Sequence, residues 1–148
     1  MSWTKLLEQG RAERHKTSAE ELAALRAVIE RNLADARVEA ISPDTRFGCA
    51  YEAALIVATA AIACSGHRVK GLGHHRTTFE ALSFALPGKE SVGDARYFDR
   101  CRRLRNEFSY EAAGVVDERE VHELLARVEL LQGRVKGFLE ASFPRVWS

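Results

Sequence analysis

Proline is kept out of the periodic parts of this chain: Pro43, Pro87 and Pro144 are the only three, and all fall between or after them. An internal proline would cost a helix about 3 kcal/mol, so that placement leaves long helices uninterrupted. Also missing is any alternation of apolar and polar residues long enough to argue for a sheet. Cysteine is sparse. Cys49, Cys64 and Cys101 include no close-spaced pair of the metal-ligand kind. Two of them sit in apolar surroundings, where a thiol acts as a small hydrophobe. The longest uncharged run, Ala53 to Gly66, falls short of the about 20 apolar residues that span a bilayer. The opening segment, "MSWTKLLEQGRAERHK", lacks the apolar core of a secretory leader. A strong charge of either sign is lacking too: the formal net charge is +1, which gives no global pull toward nucleic acid or an anionic membrane. These absences predict a reduced, cytoplasmic protein with no membrane association, in which any anion binding arises from local clustering.

What is present suits a single helical domain. A chain of 148 residues buries roughly 68–70% of its unfolded surface, enough for a core without disulfides or metals. The spacing predicts an all-α fold, an antiparallel bundle of five to six helices. Residues 1–17 read as a peripheral segment, 18–142 as the bundle core and 143–148 as a tail.

A short first helix is expected from Trp3 to His15. Ser18 and Glu21 form a capping box for the second, where Leu22, Leu25, Ile29, Leu33 and Ala36 recur at helical spacing. The third, from about Asp44 to Ser65, is apolar nearly all round and predicts the central helix. A fourth runs to about Leu86, and Pro87-Gly88 stops it. Ser91 and Asp94 are expected to cap the fifth, with Tyr97, Cys101, Leu104 and Phe108 as its core stripe. Asp117 and Glu120 cap the sixth, which carries Val121, Leu124, Val128, Leu131, Val135 and Phe138. Trp3 and Trp147 are expected to cover bundle ends.

The most unusual run is "RRLRNEFSY", Arg102 to Tyr110, near the end of the fifth helix. On a wheel at about 100° per residue, Arg96, Arg100 and Arg103 form a stripe with Glu107, which reads as a solvated face. Arg105 lies on the shoulder of the apolar face instead. A guanidinium cannot shed its proton, and leaving it desolvated and unpaired would cost several kcal/mol. Two readings stay open for it: a structural ion pair, with Glu52 as a candidate partner, or two-point capture of a phosphate.

The loop "SGHRVKGLGHHR" carries His67, Arg68, Lys70, His74, His75 and Arg76 and no acid. Lys70 precedes its glycine and no strand feeds the loop, so it is not a phosphate-binding loop of the Walker kind. Adjacent His74 and His75 rarely point at one ion, and no metal or other cofactor is expected. The remaining readings are ordinary solvated loop chemistry or a basic rim that helps Arg105 draw in a phosphate backbone. His122 reads as a solvated helix residue, and no E-x-x-H spacing lines a bundle interior.

With Arg105-Asn106 followed by Tyr110, with "FGCAYEAALIVATA" and with "SGHRVKGLGHHRTTFEAL", the chain resembles the HEPN superfamily of helical bundles from about Thr45 to Leu139. The family signature is an arginine, often an asparagine next, then four to six residues and a histidine. The resemblance implies a dimer whose motifs meet in a shared cleft. It also implies metal-independent RNA cleavage in active members, often toxins of toxin–antitoxin pairs, binding without cutting in others, and a small nucleotidyltransferase as a frequent partner. The residues it marks are Arg105 and Tyr110 at the catalytic positions. Arg102, Arg103, Arg105, Asn106, Lys70, His74 and His75 are candidates for holding RNA or a nucleotide.

This chain departs from the signature at its histidine. Imidazole titrates near 6.5 and can exchange a proton at neutral pH, whereas a phenol near 10 is only about 0.1% ionised there. Tyr110 in that place favours phosphate binding over catalysis. In a second register, Arg103 followed by four residues puts Phe108 where a toxin subgroup has histidine, and Tyr110 where that subgroup's tyrosine is modified by its nucleotidyltransferase. Residues five apart on a straight helix point about 140° from one another, so Arg105 and Tyr110 converge only if the helix unwinds near Ser109 or a second copy completes the site. His74 or His75 would supply the missing imidazole if the loop folds over the fifth helix, which keeps an active ribonuclease as the alternative. A protein-interaction subunit for a nucleotidyltransferase is the third reading.

Overall fold

The computed structural model describes residues 1–108 and 114–148; Tyr110 and the second half of its motif lie outside the described residues. Among those described, the order is α1 (Trp3–Glu8), β1 (Ala12–Arg14), α2 (Ala19–Ala36), α3 (Pro43–Cys64), β2 (His67–Val69), α4 (His74–Ala85), α5 (Glu90–Asn106) and α6 (Glu118–Leu139). The fold is an all-α helical bundle with one small two-stranded sheet.

α3 is its axle, packed against α2, α4, α5 and α6. Ala50, Ala53, Ala54, Ala58, Ala60 and Ala61 are all fully buried along it, and their small side chains let four helices approach one backbone. By length and composition Pro43–Cys64 would also suit a bilayer, but 67% of its most apolar stretch is buried inside this bundle. The core continues through Ile29 and Leu33 of α2, Phe79 and Leu82 of α4, Phe98 and Cys101 of α5, and Val121, Leu124, Val128 and Leu131 of α6. The capping box of α6 is formed in both directions, Asp117 Oδ1 accepting from the Glu120 amide at 2.9 Å and Glu120 Oε1 from the Asp117 amide at 3.3 Å.

Several local expectations are corrected. α1 stops at Glu8 rather than His15, because the chain turns at Gly10, whose φ of 69° lies in the left-handed region. It then enters a strand: Ala12, Glu13 and Arg14 pair antiparallel with Val69, Arg68 and His67. Three residues are too few to show an alternating pattern, so nothing in the periodicity announces them. Ser18 caps α2 through the Glu21 amide, but the Glu21 carboxylate turns to His15 and Thr17 and leaves the box half made. Ser91 and Asp94 do not cap α5, which begins at Glu90; buried Ser91 donates to the Leu86 carbonyl, and Asp94 holds Arg127 and Arg134 of α6.

Both end segments pack onto the bundle. Leu6 and Ala12 are buried against Ile62, Ala81 and Ala85 in a second small core. The segment after α6 folds back so that Trp147 is 2% exposed and its indole Nε1 donates to the Leu22 carbonyl at 2.9 Å. The chain's buried arginine is Arg46, which the wheel of α5 gave no reason to suspect. At 2% exposure, it donates from Nε to the Ala36 carbonyl at 2.8 Å and from Nη1 to both Glu118 oxygens at 2.8 and 2.7 Å.

Candidate anion-binding cleft

The last turn of α5 carries its arginines as the periodicity predicts, with Cys101 buried and Leu104 and Phe108 half-buried beneath them. The helix ends at Asn106, and cations in its last turn are favoured by the exposed carbonyls there. Arg102 lies half-covered and donates from Nε to Asp99 Oδ1 at 2.7 Å. Arg103 is 65% exposed and leans toward the other oxygen of Asp99, 3.7 Å away.

Arg105 takes neither of those paths. Its side chain runs along Gly48 of α3, where an added Cβ would come within 3.4 Å of Nε, and its guanidinium carbon lies 5.8 Å from the centre of the Phe108 ring. It is exposed, and among the described residues no carboxylate lies within ion-pair distance of it. The ion pair with Glu52 is therefore not formed. A Cβ at Gly48 would make ordinary van der Waals contact with the arginine, so the glycine leaves this side chain close room along the helix surface.

The loop does fold against α5, though not as a whole. Lys70 stays outside the cleft, drawn with Arg68 to Glu13 of β1. Gly71 and Gly73, with φ of 88° and 70°, turn the chain around a fully exposed Leu72 and start α4 at His74. His74, His75, Arg76, Arg102 and Asn106 then line a cleft of about 250 Å³. No side chain caps the first amides of α4, which open on the same end.

His75 is the best-defined member. Its Nδ1 lies 3.2 Å from the hydroxyl of Tyr51, a buried residue of α3. Burial pushes the Tyr51 phenol well above its ordinary value, despite the nearby cations of Arg102 and Arg105, so it keeps its proton. Among the described residues that proton has no other acceptor, so Tyr51 donates to Nδ1. Burial, then the neighbouring His74, Arg105 and Arg102, lower the His75 imidazole against the pull of Glu52. A neutral ring that accepts at Nδ1 carries its hydrogen on Nε2, and His75 is left as a donor.

The structure thus brings together His74, His75, Arg102 and Asn106 and sets Arg105 beside them. Arg103 points outward and Lys70 is engaged elsewhere. Two residues of the site were not singled out from the sequence. Arg76 was part of the basic loop content, and its place at the third position of α4 gives it its role. Tyr51 reads as core, and nothing in its spacing signals a polar partner 24 residues away. Among the described residues no group of three histidine, cysteine or acidic side chains is arranged to hold a metal ion.

Both His75 and His67 have imidazoles lowered by burial. The unfolded chain takes up protons first as pH falls through about 6.5, so stability declines from there through the folded values. Thermal melts from about pH 7.5 to 5.5 should fall for the native chain and less steeply for His67→Phe/His75→Gln; equal slopes would contradict this assignment.

Compared with protein-family models, with curated proteins and with solved structures, the chain has no significant match.

Proposed function

We propose that this cleft holds a phosphate of RNA or of a nucleotide, in a bundle of the HEPN kind. One observation carries the reading: Arg105 and Arg76, neither with a carboxylate in reach among the described residues, lie at one end of the bundle with Arg102, Asn106 and the His75 donor. Cations with no carboxylate within ion-pair distance among the described residues keep their attraction for an outside anion, and guanidinium groups match a phosphate in two-point geometry. Uncapped helix amides add donors of the same polarity. Tyr51 supports binding over cutting, because an imidazole holding its proton on the outer nitrogen donates to phosphate oxygen and takes no proton from a hydroxyl.

With about three arginine contacts to a single strand, RNA affinity should fall roughly twentyfold between 50 and 200 mM salt. Arg105→Ala should weaken binding about tenfold and flatten that dependence, while stability moves by less than about 0.5 kcal/mol because the side chain is exposed. Fluorescence anisotropy with a labelled oligoribonucleotide, beside thermal melts, measures all three. Affinity that ignores both salt and Arg105→Ala would sink the reading.

A metal-independent endoribonuclease is the second reading, favoured by the arrival of His75 beside Arg102, where the motif lacks its histidine. Cleavage in EDTA that is lost in both Arg105→Ala and His75→Ala would establish it. The proposal includes a second copy of the chain. Arg105 lies against Gly48, on a strip of α3 continued by Cys49, Glu52 and Ile56 that stays half-buried in one copy. Sedimentation of the native chain beside Arg105→Ala tests that arrangement.

A further inference from the structure

A second cavity, about 390 Å³, opens between the small sheet and α2, α3 and α4, within the size range of pockets that hold small molecules. Its walls are largely apolar, with Leu25, Ile62, Ala63 and Val69 among them. The polar side chains at its edge share one property: most have already spent their hydrogens. Thr59 donates its hydroxyl to the Leu55 carbonyl at 2.8 Å, and Thr78 donates to the His74 carbonyl at 2.7 Å. His67 lies 3.0 Å from the Ser65 carbonyl through Nδ1, so its hydrogen sits there and Nε2 keeps a lone pair. That ring is also stacked flat on Trp3, with centroids 3.9 Å apart.

Glu21 contributes carboxylate oxygens, held ionised by hydrogen bonds from His15 and Thr17 that outweigh the effect of its partial burial. The donors at the rim are Arg68, whose guanidinium is turned to Glu13, and a ring N–H of His74, which lies on the side toward the cleft. What faces a visitor is therefore an apolar slot whose Glu21, Thr59, Thr78 and His67 edge offers acceptors, with the His74 donor at the end nearest the cleft. A ligand that satisfies it is flat, largely apolar and supplies N–H hydrogens of its own.

His74 belongs to both cavities: it lines this one and the cleft of Arg102 and Asn106. Thr78, one turn further along α4, faces the pocket, whereas His75 and Arg76 face the cleft. We propose that the pocket takes the amino-bearing base of a nucleotide whose phosphate lies in the cleft on the other side of His74. The inference rests on the phosphate reading for the second half of the ligand and on the pocket alone for the first. An exocyclic amino group answers the acceptors, and a planar ring fits between aliphatic walls and imidazole faces.

Calorimetry on the full chain separates the two halves. Adenosine, which has no phosphate, should bind, and purine riboside, which lacks only the amino group, should bind about tenfold more weakly because acceptors are left unpaired. Leu25→Trp, which fills the half-open slot, should abolish adenosine binding. Thr59→Val, which keeps side-chain shape, should weaken it about tenfold, with circular dichroism showing both variants folded. Arg102→Ala should leave adenosine affinity unchanged and weaken AMP about tenfold. An oligoadenylate that competes with AMP identifies the base as part of a strand; AMP alone identifies a free nucleotide. Equal affinity for adenosine and purine riboside, or no adenosine binding, overturns the inference. RNA binding by the native chain without any adenosine binding overturns it while leaving the phosphate reading intact, and adenosine binding with AMP no tighter keeps the pocket and removes the phosphate half.

Discussion

Arg46→Ala is expected to lower the melting temperature by at least about 6 °C, from a loss of about 3 kcal/mol or more in a domain of this size. The cause is the burial of both the charge and its first acceptor. At 2% exposure the guanidinium satisfies the Ala36 carbonyl and grips both oxygens of Glu118, so it ties the end of α2 to the start of α6 through α3. Alanine removes that tie, opens a hole and leaves a carbonyl unpaired. Glu118→Gln should cost far less, about 1 kcal/mol, because Glu118 is 54% exposed and water can take up the lost charge contact. Thermal melts of the two variants decide it; equal shifts would mean that the carbonyl contact contributes nothing.

Trp147→Ala should cost about 3–5 kcal/mol, the ordinary range for removing a large buried aromatic. Trp147 closes the face where α2 and α6 leave the core open, and its indole reaches the Leu22 carbonyl. Trp147→Phe separates the two contributions: packing is largely kept, the hydrogen bond is lost, and about 1 kcal/mol is the expected penalty. Denaturant titration of both variants measures these values. If alanine and phenylalanine behaved alike, the indole contact rather than the packing would be the main contribution.

The long helices were legible because each has a periodic apolar stripe, although their ends were marked less reliably, as α1 and the start of α5 show. α6 is the clearest case, with Asp117 and Glu120 closing its box and Val121, Leu124, Val128 and Leu131 buried in register. What escaped the sequence was every contact made across long separations. β1 and β2 are short and lie 55 residues apart, Arg46 meets Glu118 72 residues away, and Trp147 meets Leu22 125 residues away. Local spacing carries no record of such meetings. The same limit governed the site. Arg102, Asn106 and the two histidines were visible as residue types, but whether Arg105 was sealed by Glu52 depended on how α5 lies on α3. In the folded chain the guanidinium passes along the α3 surface beside Gly48, with no ion pair to Glu52.

The small sheet has an architectural meaning. α3 and α4 can each form from neighbouring residues, whereas the wall of the larger cavity exists only once Ala12–Arg14 has travelled back to His67–Val69. Closing so long a loop costs chain entropy, which the burial of Leu6 and Ala12 against Ile62, Ala81 and Ala85 helps to offset. The larger cavity is therefore a property of the assembled chain: α3 and α4 cut out as a pair would lack the wall that the returning strand holds in place.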